Sequence, residues 1–180
     1  MRKQFIAKML VLAMVLAMVP VTVIAASATS NSGYYSVAVD TTTTVSAADI
    51  NVEDGEAVIT AKVVGQTATV SLPEEAVAAL AEQATGDELV LKIDAPGATK
   101  VEVSLPAKAL TAFGEKTSAA LTVELGEVAT ISIPNDALAS VFGTSGSAKI
   151  SAQASGTTIG FTLQVSGKSL ANIKGLQVTF

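Results

Sequence analysis

The chain contains no cysteine, no histidine and no tryptophan, and these absences exclude several classes of function. Without histidine and cysteine, a Ser–His–Asp triad and a thiol nucleophile cannot be built, and the commonest zinc ligands are missing. Disulfides and lipid attachment through an N-terminal cysteine are also excluded, so the fold must be stabilised by packing. We therefore predict that the protein is not an enzyme and that no cofactor is involved, with calcium as the one ion considered below.

Aromatic residues are scarce as well, with only two Tyr and five Phe. Sugar-binding surfaces generally present exposed aromatic rings. Phe113, Phe142 and Phe161 lie in apolar patterns that predict burial, which leaves Tyr34 and Tyr35 as the rings that can be exposed. Glycan binding by ring stacking is therefore disfavoured.

Basic residues are few, and three of them, Arg2, Lys3 and Lys8, precede an uncharged apolar run. That run is followed by the small residues of an A-x-A site at Ala26-Ser27-Ala28, a combination typical of a secretory signal peptide. A membrane anchor is the alternative, but the strictly apolar run, residues 9–19, is shorter than the roughly 20 residues that a span needs. We predict a signal peptide over residues 1–28 and a secreted protein, extracellular or associated with the cell surface.

The charge balance after signal cleavage is strongly acidic. Removal of the three basic residues of the signal peptide leaves 8 basic against 16 acidic residues, a net charge of −8. This charge argues against nucleic acid and anionic membrane as partners. Cell-wall components and other surface proteins remain as partners to consider.

One short phrase occurs three times in the middle of the chain. Each copy has a β-branched residue, Ser and then Leu or Ile before a proline, followed by Ala three residues after it and Val or Leu four after it. The copies are VSLPEEAVAAL (Val70–Leu80), VSLPAKALTAF (Val103–Phe113) and ISIPNDALASV (Ile131–Val141).

Within each copy the pattern changes from strand to helix at the proline. Apolar and polar residues alternate before it, which predicts a half-buried strand, and proline ends a strand but suits the first turn of a helix. The second and third helices should end near Gly114 and Gly143, because glycine is a common C-terminal cap. Leu110 and Leu138 occupy equivalent positions, and we expect both to be buried.

Alternating runs also follow each helix, and turn residues connect them to the next strand. We interpret the turns at Gly65-Gln66, Pro96-Gly97, Gly126-Glu127 and Ser155-Gly156 as antiparallel hairpins. The predicted fold class is α+β and strand-rich, with antiparallel hairpins joined by short proline-initiated helices that pack on one face, and with an internal strand–helix–hairpin repeat.

These patterns divide the chain into three regions. The signal peptide, residues 1–28, is followed by a flexible leader rich in Ser, Thr and Ala, residues 29–49, and by a repeat-containing α+β domain, residues 50–180. The final residues, Leu176–Phe180, predict a strand and end on an apolar side chain. Both a natural domain end and truncation of a longer protein are compatible with this ending.

Three residues at the start of the predicted domain place oxygen ligands at alternate positions, as calcium loops do: Asp49, Asn51 and Glu53. The pattern departs from an EF-hand, since Asp54 replaces the glycine of position six and Thr60 replaces the glutamate of position twelve. A solvated acidic turn is the main interpretation, and a calcium site is the alternative.

Paired carboxylates, as used by glycosidases, occur at Glu74 with Glu75 and at Glu53 with Asp54. The first pair lies at a predicted helix start and the second in a predicted turn. Solvated acids are common in both places, so we assign neither pair to catalysis.

The triplicated V-S-L-P-x-x-A-L phrase, on a secreted chain without cysteine, resembles the region that precedes S-layer homology repeats in cell-surface proteins of Gram-positive bacteria. The Gly-turn run Val123-Glu124-Leu125-Gly126-Glu127-Val128 and the segment from Ser166 to Gly175 are similar to that region too. The resemblance covers residues 58–180 and does not include the S-layer homology repeats themselves. It implies a non-catalytic structural or spacer domain of a cell-surface protein.

Two further functions remain open from the sequence. The first is a glycan- or protein-binding module at the cell envelope, which would use sheet faces or loops. The second is an accessory region of a longer secreted enzyme. The sequence specifies neither the ligand nor the oligomeric state of such a module.

Overall fold

The computed structural model describes residues 41–170 and 172–180. The predicted signal peptide and residues 29–40 of the predicted leader lie outside these residues. Within them, the strands form two sheets, which we call sheet A and sheet B. The order in sheet A is β1 (Thr42–Thr44), β5 (Thr67–Ser71), β7 (Lys100–Pro106), β10 (Ser147–Ser155), β11 (Thr158–Val165) and β12 (Lys168–Ser169), with β4 (Val63–Val64) also on β5. The order in sheet B is β13 (Gln177–Thr179), β9 (Ala129–Ile133), β8 (Ala120–Leu125), β6 (Glu88–Asp94), β3 (Glu56–Thr60) and β2 (Val52–Glu53).

Three α-helices connect the sheets: α1 (Glu74–Gln83), α2 (Ala107–Lys116) and α3 (Asn135–Val141). A 3-10 turn, Ala47–Asp49, follows β1. The chain therefore has the strand-rich α+β fold that the sequence predicts.

Both sheets are mixed. β1, β5 and β7 run parallel to one another in sheet A, and β3, β6 and β8 do so in sheet B, while the remaining pairs are antiparallel. The parallel pairs arise because α1 carries the chain from β5 in sheet A to β6 in sheet B, and the chain then returns to sheet A as β7. Parallel neighbours need a long crossover of this kind, here made of a helix and a strand of the other sheet.

The predicted hairpins are present at three of the four turns. β8 and β9 pair around Gly126-Glu127, and β10 and β11 pair around Ser155-Gly156. At Gly65-Gln66 the hairpin contains only the two residues of β4, and at Pro96-Gly97 the chain crosses from β6 in sheet B to β7 in sheet A. The prediction was wrong at Pro96-Gly97, because alternation shows which face of a strand is buried but not which strand lies beside it.

The core lies between the two sheets. The alternating apolar residues of both belong to one hydrophobic cluster, as in a β-sandwich. The central strands contribute side chains that are at most 1 % exposed: Val70, Val101, Val103, Leu105 and Ile150 from sheet A, and Leu89, Leu91, Ile93, Leu121, Val123, Leu125, Ile131 and Ile133 from sheet B.

The helices close one end of this sandwich. α1 and α2 each connect the C-terminal end of a sheet A strand to the N-terminal end of a sheet B strand. α3 connects the C-terminal end of β9 in sheet B to the N-terminal end of β10 in sheet A. All three helices therefore lie at the same end, with α2 packed between α1 and α3. The prediction that they pack on one face of a sheet was wrong, because the outward faces of both sheets are polar and the helices instead cover the gap between the inner faces.

Each helix begins directly after a proline. Pro73, Pro106 and Pro134 occupy the N-cap positions of α1, α2 and α3 with extended backbone angles. Gly143 has a φ of +77° just beyond α3, which confirms the predicted cap, since glycine adopts that conformation without steric cost. Gly114, in contrast, does not end its helix but lies within α2, which continues to Lys116.

The ordered structure begins before residue 50. β1 pairs in parallel with β5, and Val45, which follows it, is 5 % exposed. The amide of Val45 donates to the carbonyl of Ser71 at 3.0 Å, as the amide of Leu72 donates to the carbonyl of Ser104 at 3.0 Å one strand further along. Residues 42–49, assigned to the leader from sequence, thus belong to the fold.

Candidate functional site

The outward face of sheet A is rich in hydroxyl groups, and we call it the hydroxyl face. Its parallel registers align Thr42 with Thr69 and, one row further, Thr44 with Ser71 and Ser71 with Ser104. These positions face outward because the alternate residues of the same strands face the core. Such a surface can donate and accept hydrogen bonds over several neighbouring strands.

Charge on the hydroxyl face is confined to one ion-pair group on β7 and β10. The Glu102 carboxylate lies 2.8 Å from the Lys149 ammonium and 3.9 Å from that of Lys100. The Glu102 side chain is 19 % exposed, so the shorter pair is partly shielded from water. The group carries one net positive charge.

The outward face of sheet B also carries an ion-pair group, in which one lysine lies between two glutamates. The Lys92 ammonium lies 3.7 Å from a Glu56 carboxylate oxygen and 3.6 Å from one of Glu124, which joins β3, β6 and β8 with one net negative charge. Near it, the Thr122 hydroxyl is 5 % exposed and within hydrogen-bonding distance of Glu88 Oε1 and Ser132 Oγ. Exposed ion pairs of this kind contribute little stability each.

A groove of about 330 Å³ lies at the end of the sandwich opposite the helices. Its charged lining residues are Lys92, Asp94, Glu124 and Glu127. Lys92 is already paired with Glu124, so part of the negative charge there is compensated.

The predicted calcium residues have partners within the protein. The Asp49 carboxylate accepts the backbone amide of Ser46 at 3.3 Å, and the Asn51 side-chain amide donates to Glu53 Oε1 at 2.7 Å. In the part of the chain that the structure describes, no three His, Cys, Asp or Glu side chains are grouped so that they could hold a metal ion. A calcium site at Asp49, Asn51 and Glu53 stays a prediction.

The two carboxylate pairs considered from sequence lie apart from each other in ordinary surface settings. Glu74 and Glu75 are in the first turn of α1, where the helix dipole favours negative charge, and Glu74 accepts from the Lys108 ammonium at 3.0 Å. Glu53 lies on the short edge strand β2, and Asp54 follows in a turn with a φ of +53°.

Two amide side chains that the sequence did not single out connect helices to neighbouring backbone. From the end of α1, Gln83 Oε1 accepts the amide of Val52 at 3.1 Å, and Gln83 Nε2 donates to the carbonyl of Ile50 at 3.3 Å. The sequence analysis also did not single out Ser46, whose hydroxyl caps the 3-10 turn by accepting the amide of Ala48 at 3.1 Å. The Ser-x-x-Asp spacing of Ser46 and Asp49 was the sequence signal for that cap.

Asn135, directly after the proline of α3, caps the end of α2. Its Nδ2 donates to the carbonyls of Gly114, Thr117 and Ala119 at 3.1, 2.9 and 3.3 Å. These carbonyls lie at the C-terminal end of a helix and just beyond it, where acceptors lack partners within the helix. Asn135 therefore fixes α3 against α2.

Replacing Asn135 with alanine should lower the free energy of unfolding by about 1–3 kcal/mol, because three partly buried carbonyls lose their donor. Asn135→Asp should cost at least as much, since it puts carboxylate oxygens against carbonyl oxygens. Urea unfolding monitored by circular dichroism measures both. Asp136→Ala, at the next and exposed residue, is the control, and equal losses in all three variants would show that the cap contributes nothing.

Comparisons with known proteins do not add to this description: no protein-family model, curated protein or solved structure matches the chain. Among the helices of the described residues, none has the length and apolar character needed to cross a membrane.

Proposed function

We propose that this chain is a non-catalytic structural or spacer domain of a secreted cell-surface protein, built from a repeated strand–helix–strand unit. One observation carries the proposal. The two units that begin with the first two copies of the repeated phrase are direct neighbours in parallel register on both sheets: Val70 lies opposite Val103 in sheet A, and Leu89 lies opposite Leu121 in sheet B. Each unit thus spans the whole sandwich and adds one strand to each sheet.

The same order of elements recurs in two further segments of the described chain. β1, the 3-10 turn and β3 form an earlier and shorter unit, in which Ser46 occupies the place of the proline. The third copy, β9, α3 and β10, runs in the opposite direction, from sheet B to sheet A, which is why its strands pair in antiparallel fashion with β8 and β7. Stacked units that share one core form a stiff body whose length is set by the number of units.

The distribution of polar groups supports the role of a structural or spacer domain. In the described residues, every buried side-chain nitrogen or oxygen has a hydrogen-bond partner. On each outward face, the charged groups at the centre form ion pairs with other groups of the same face. A surface of this kind suits a domain that separates other domains of the same protein while staying soluble.

A binding module for wall polysaccharide is the second candidate, and the hydroxyl face favours it. Rows of Thr and Ser on neighbouring strands can exchange hydrogen bonds with sugar hydroxyls, although the aromatic platforms that usually accompany such contacts are rare in this chain. The two candidates differ in whether the domain is retained on wall material.

Retention of residues 29–180 on purified wall material, with and without calcium, separates the two candidates. The spacer role predicts that the domain stays in the supernatant under both conditions. Retention that is lost in a variant with Thr69→Ala and Ser71→Ala, but kept in one with Thr130→Ala and Ser132→Ala on sheet B, would overturn the spacer role in favour of binding through the hydroxyl face. Retention only with calcium would overturn it as well and would support the predicted calcium residues.

A further inference from the structure

The flank of the sandwich formed by β11 and β13 is less completely covered than the rest of the core. Inward-facing residues on the central strands β7 and β8, such as Val103 and Val123, are fully buried. Some inward-facing residues of β11 and β13 are only partly buried: Ile159 and Phe161 on β11, and Val178 on β13. Leu163 on β11 is buried, and Leu170, Ile173 and Leu176 before β13 pack against the core, so the core is only partly covered at this flank.

The free edge of sheet B at this flank has neither a charged side chain nor proline to prevent pairing, although β13 itself has only three residues. β13 and its two flanking residues read Leu176-Gln177-Val178-Thr179-Phe180, with neither a charged side chain nor proline, and Phe180 is 65 % exposed. Among the described residues, no strand pairs with the outer edge of β13. Natural proteins usually protect such edges with charge, proline or bulges, so an unprotected edge is a pairing site.

The opposite edge of sheet B is protected. β2 has only two residues, and its Glu53 lies opposite Glu56 of β3. Asp54 follows at once in a turn. A strand added there would meet three carboxylates and only two residues of backbone, so a head-to-tail contact between β13 and β2 would leave part of β13 unpaired.

We propose that β13 pairs in antiparallel register with β13 of a second copy of this chain, around a two-fold axis at Val178. This register sets Leu176 opposite Phe180 of the partner subunit, Gln177 opposite Thr179 of the partner subunit, and Val178 opposite itself. The apolar residues then meet on the inward side and the polar residues on the outward side, because side chains alternate along a strand. The segment is self-complementary, which is what an interface around a two-fold axis requires.

The distribution of charge around β13 also favours a second copy of this chain as its partner. Two copies of an acidic protein repel each other over most of their surface, but the outward residues beside this edge, Thr130 and Ser132 on β9 and Gln177 and Thr179 on β13, are all neutral. At this edge, two copies meet without placing like charges opposite each other. The inference does not depend on the proposed structural role, because it rests only on the edge of sheet B.

The test changes the two outward residues in a pair of matched variants. Residues 29–180, which contain the whole compact unit Val39–Phe180, are studied by analytical ultracentrifugation over a range of concentrations. Gln177→Lys with Thr179→Lys sets lysine opposite lysine twice and should raise the dimer dissociation constant by about tenfold or more. Gln177→Lys with Thr179→Glu sets lysine opposite glutamate twice and should restore dimerisation to within a few-fold of the unchanged chain. Both positions are exposed, so neither variant disturbs the core.

A single introduced cysteine reports the register, because the chain has no cysteine of its own. Opposed residues of an antiparallel pair have Cα atoms about 4.5–5.5 Å apart, which a disulfide can bridge. Val178→Cys should therefore form a disulfide-linked dimer on mild oxidation. Val58→Cys, on an exposed outward position of β3, should not.

Four results would overturn the proposal: an unchanged chain that is monomeric at every concentration, a dimer that is as strong in the lysine–lysine variant, a lysine–glutamate variant no stronger than the lysine–lysine variant, or cross-linking at position 58 as fast as at position 178.

Discussion

Leu110→Ala and Leu138→Ala are each expected to lower the free energy of unfolding by about 2–5 kcal/mol. Both side chains are 0 % exposed, on α2 and α3 respectively, where the helices close the end of the sandwich. Truncation removes buried apolar surface and leaves a cavity that the two sheets cannot fill, because their strands are fixed by the hydrogen bonds of the ladders. Guanidinium unfolding of each variant provides the measurement.

The control for these variants is Val58→Ala, which removes apolar atoms from a side chain that is 54 % exposed. It should change the stability by less than about 0.5 kcal/mol. Losses below about half a kcal/mol at both Leu110 and Leu138 would mean that the repeated positions do not form a core unit.

Gly114→Ala is expected to destabilise the protein by about 1–3 kcal/mol or more, although alanine is the better helix former. In an exposed helix this change would stabilise by about 0.5–1 kcal/mol. Here an added Cβ would lie 2.5 Å from the backbone nitrogen of Ala139 and 2.9 Å from the carbonyl carbon of Leu138. Backbone atoms of α3 cannot rotate away as a side chain can, so the two helices would have to separate.

Gly86→Ala is the matched control, because its nearest neighbour would be the Glu88 carbonyl oxygen at an ordinary 3.9 Å and the residue does not have a positive φ. Thermal unfolding of both variants measures the difference. A Gly114→Ala variant as stable as the unchanged chain would show that α2 and α3 are not in the close contact described.

The sequence predicted what depends on local chemistry. Proline after an alternating run correctly located the starts of α1, α2 and α3, and the burial of Leu110 and Leu138 is confirmed. It failed where the outcome depends on a contact between distant residues. Gly114 was expected to end a helix, but it lies inside one.

The sheet topology could not be predicted for a related reason. Alternation along a strand fixes the buried face, but both sheets of a sandwich bury one face in the same core. Nothing in the pattern of β6 or β7 therefore distinguishes a hairpin across Pro96-Gly97 from a crossing between sheets.

The hydrogen bonds at the helix ends were missed for another reason. Asn135 and Gln83 act on backbone groups of other elements, 16–21 and 31–33 residues away. Their residue type allows this role but does not indicate it. Ser46 could have been found, since its spacing to Asp49 is a recognised capping pattern.

The stacking of units also constrains the order in which the chain can fold. Among the described strands, partners are close in sequence, and the widest separation in any pair is 53 residues, between Lys100 and Gln153. The first strands never pair with the last, so each unit needs only its immediate predecessor as a template. Such a topology closes no loop longer than this separation, and the entropic cost of closing a loop rises with its length. We expect the domain to acquire its structure progressively from the N-terminal side, with β13 joining sheet B last.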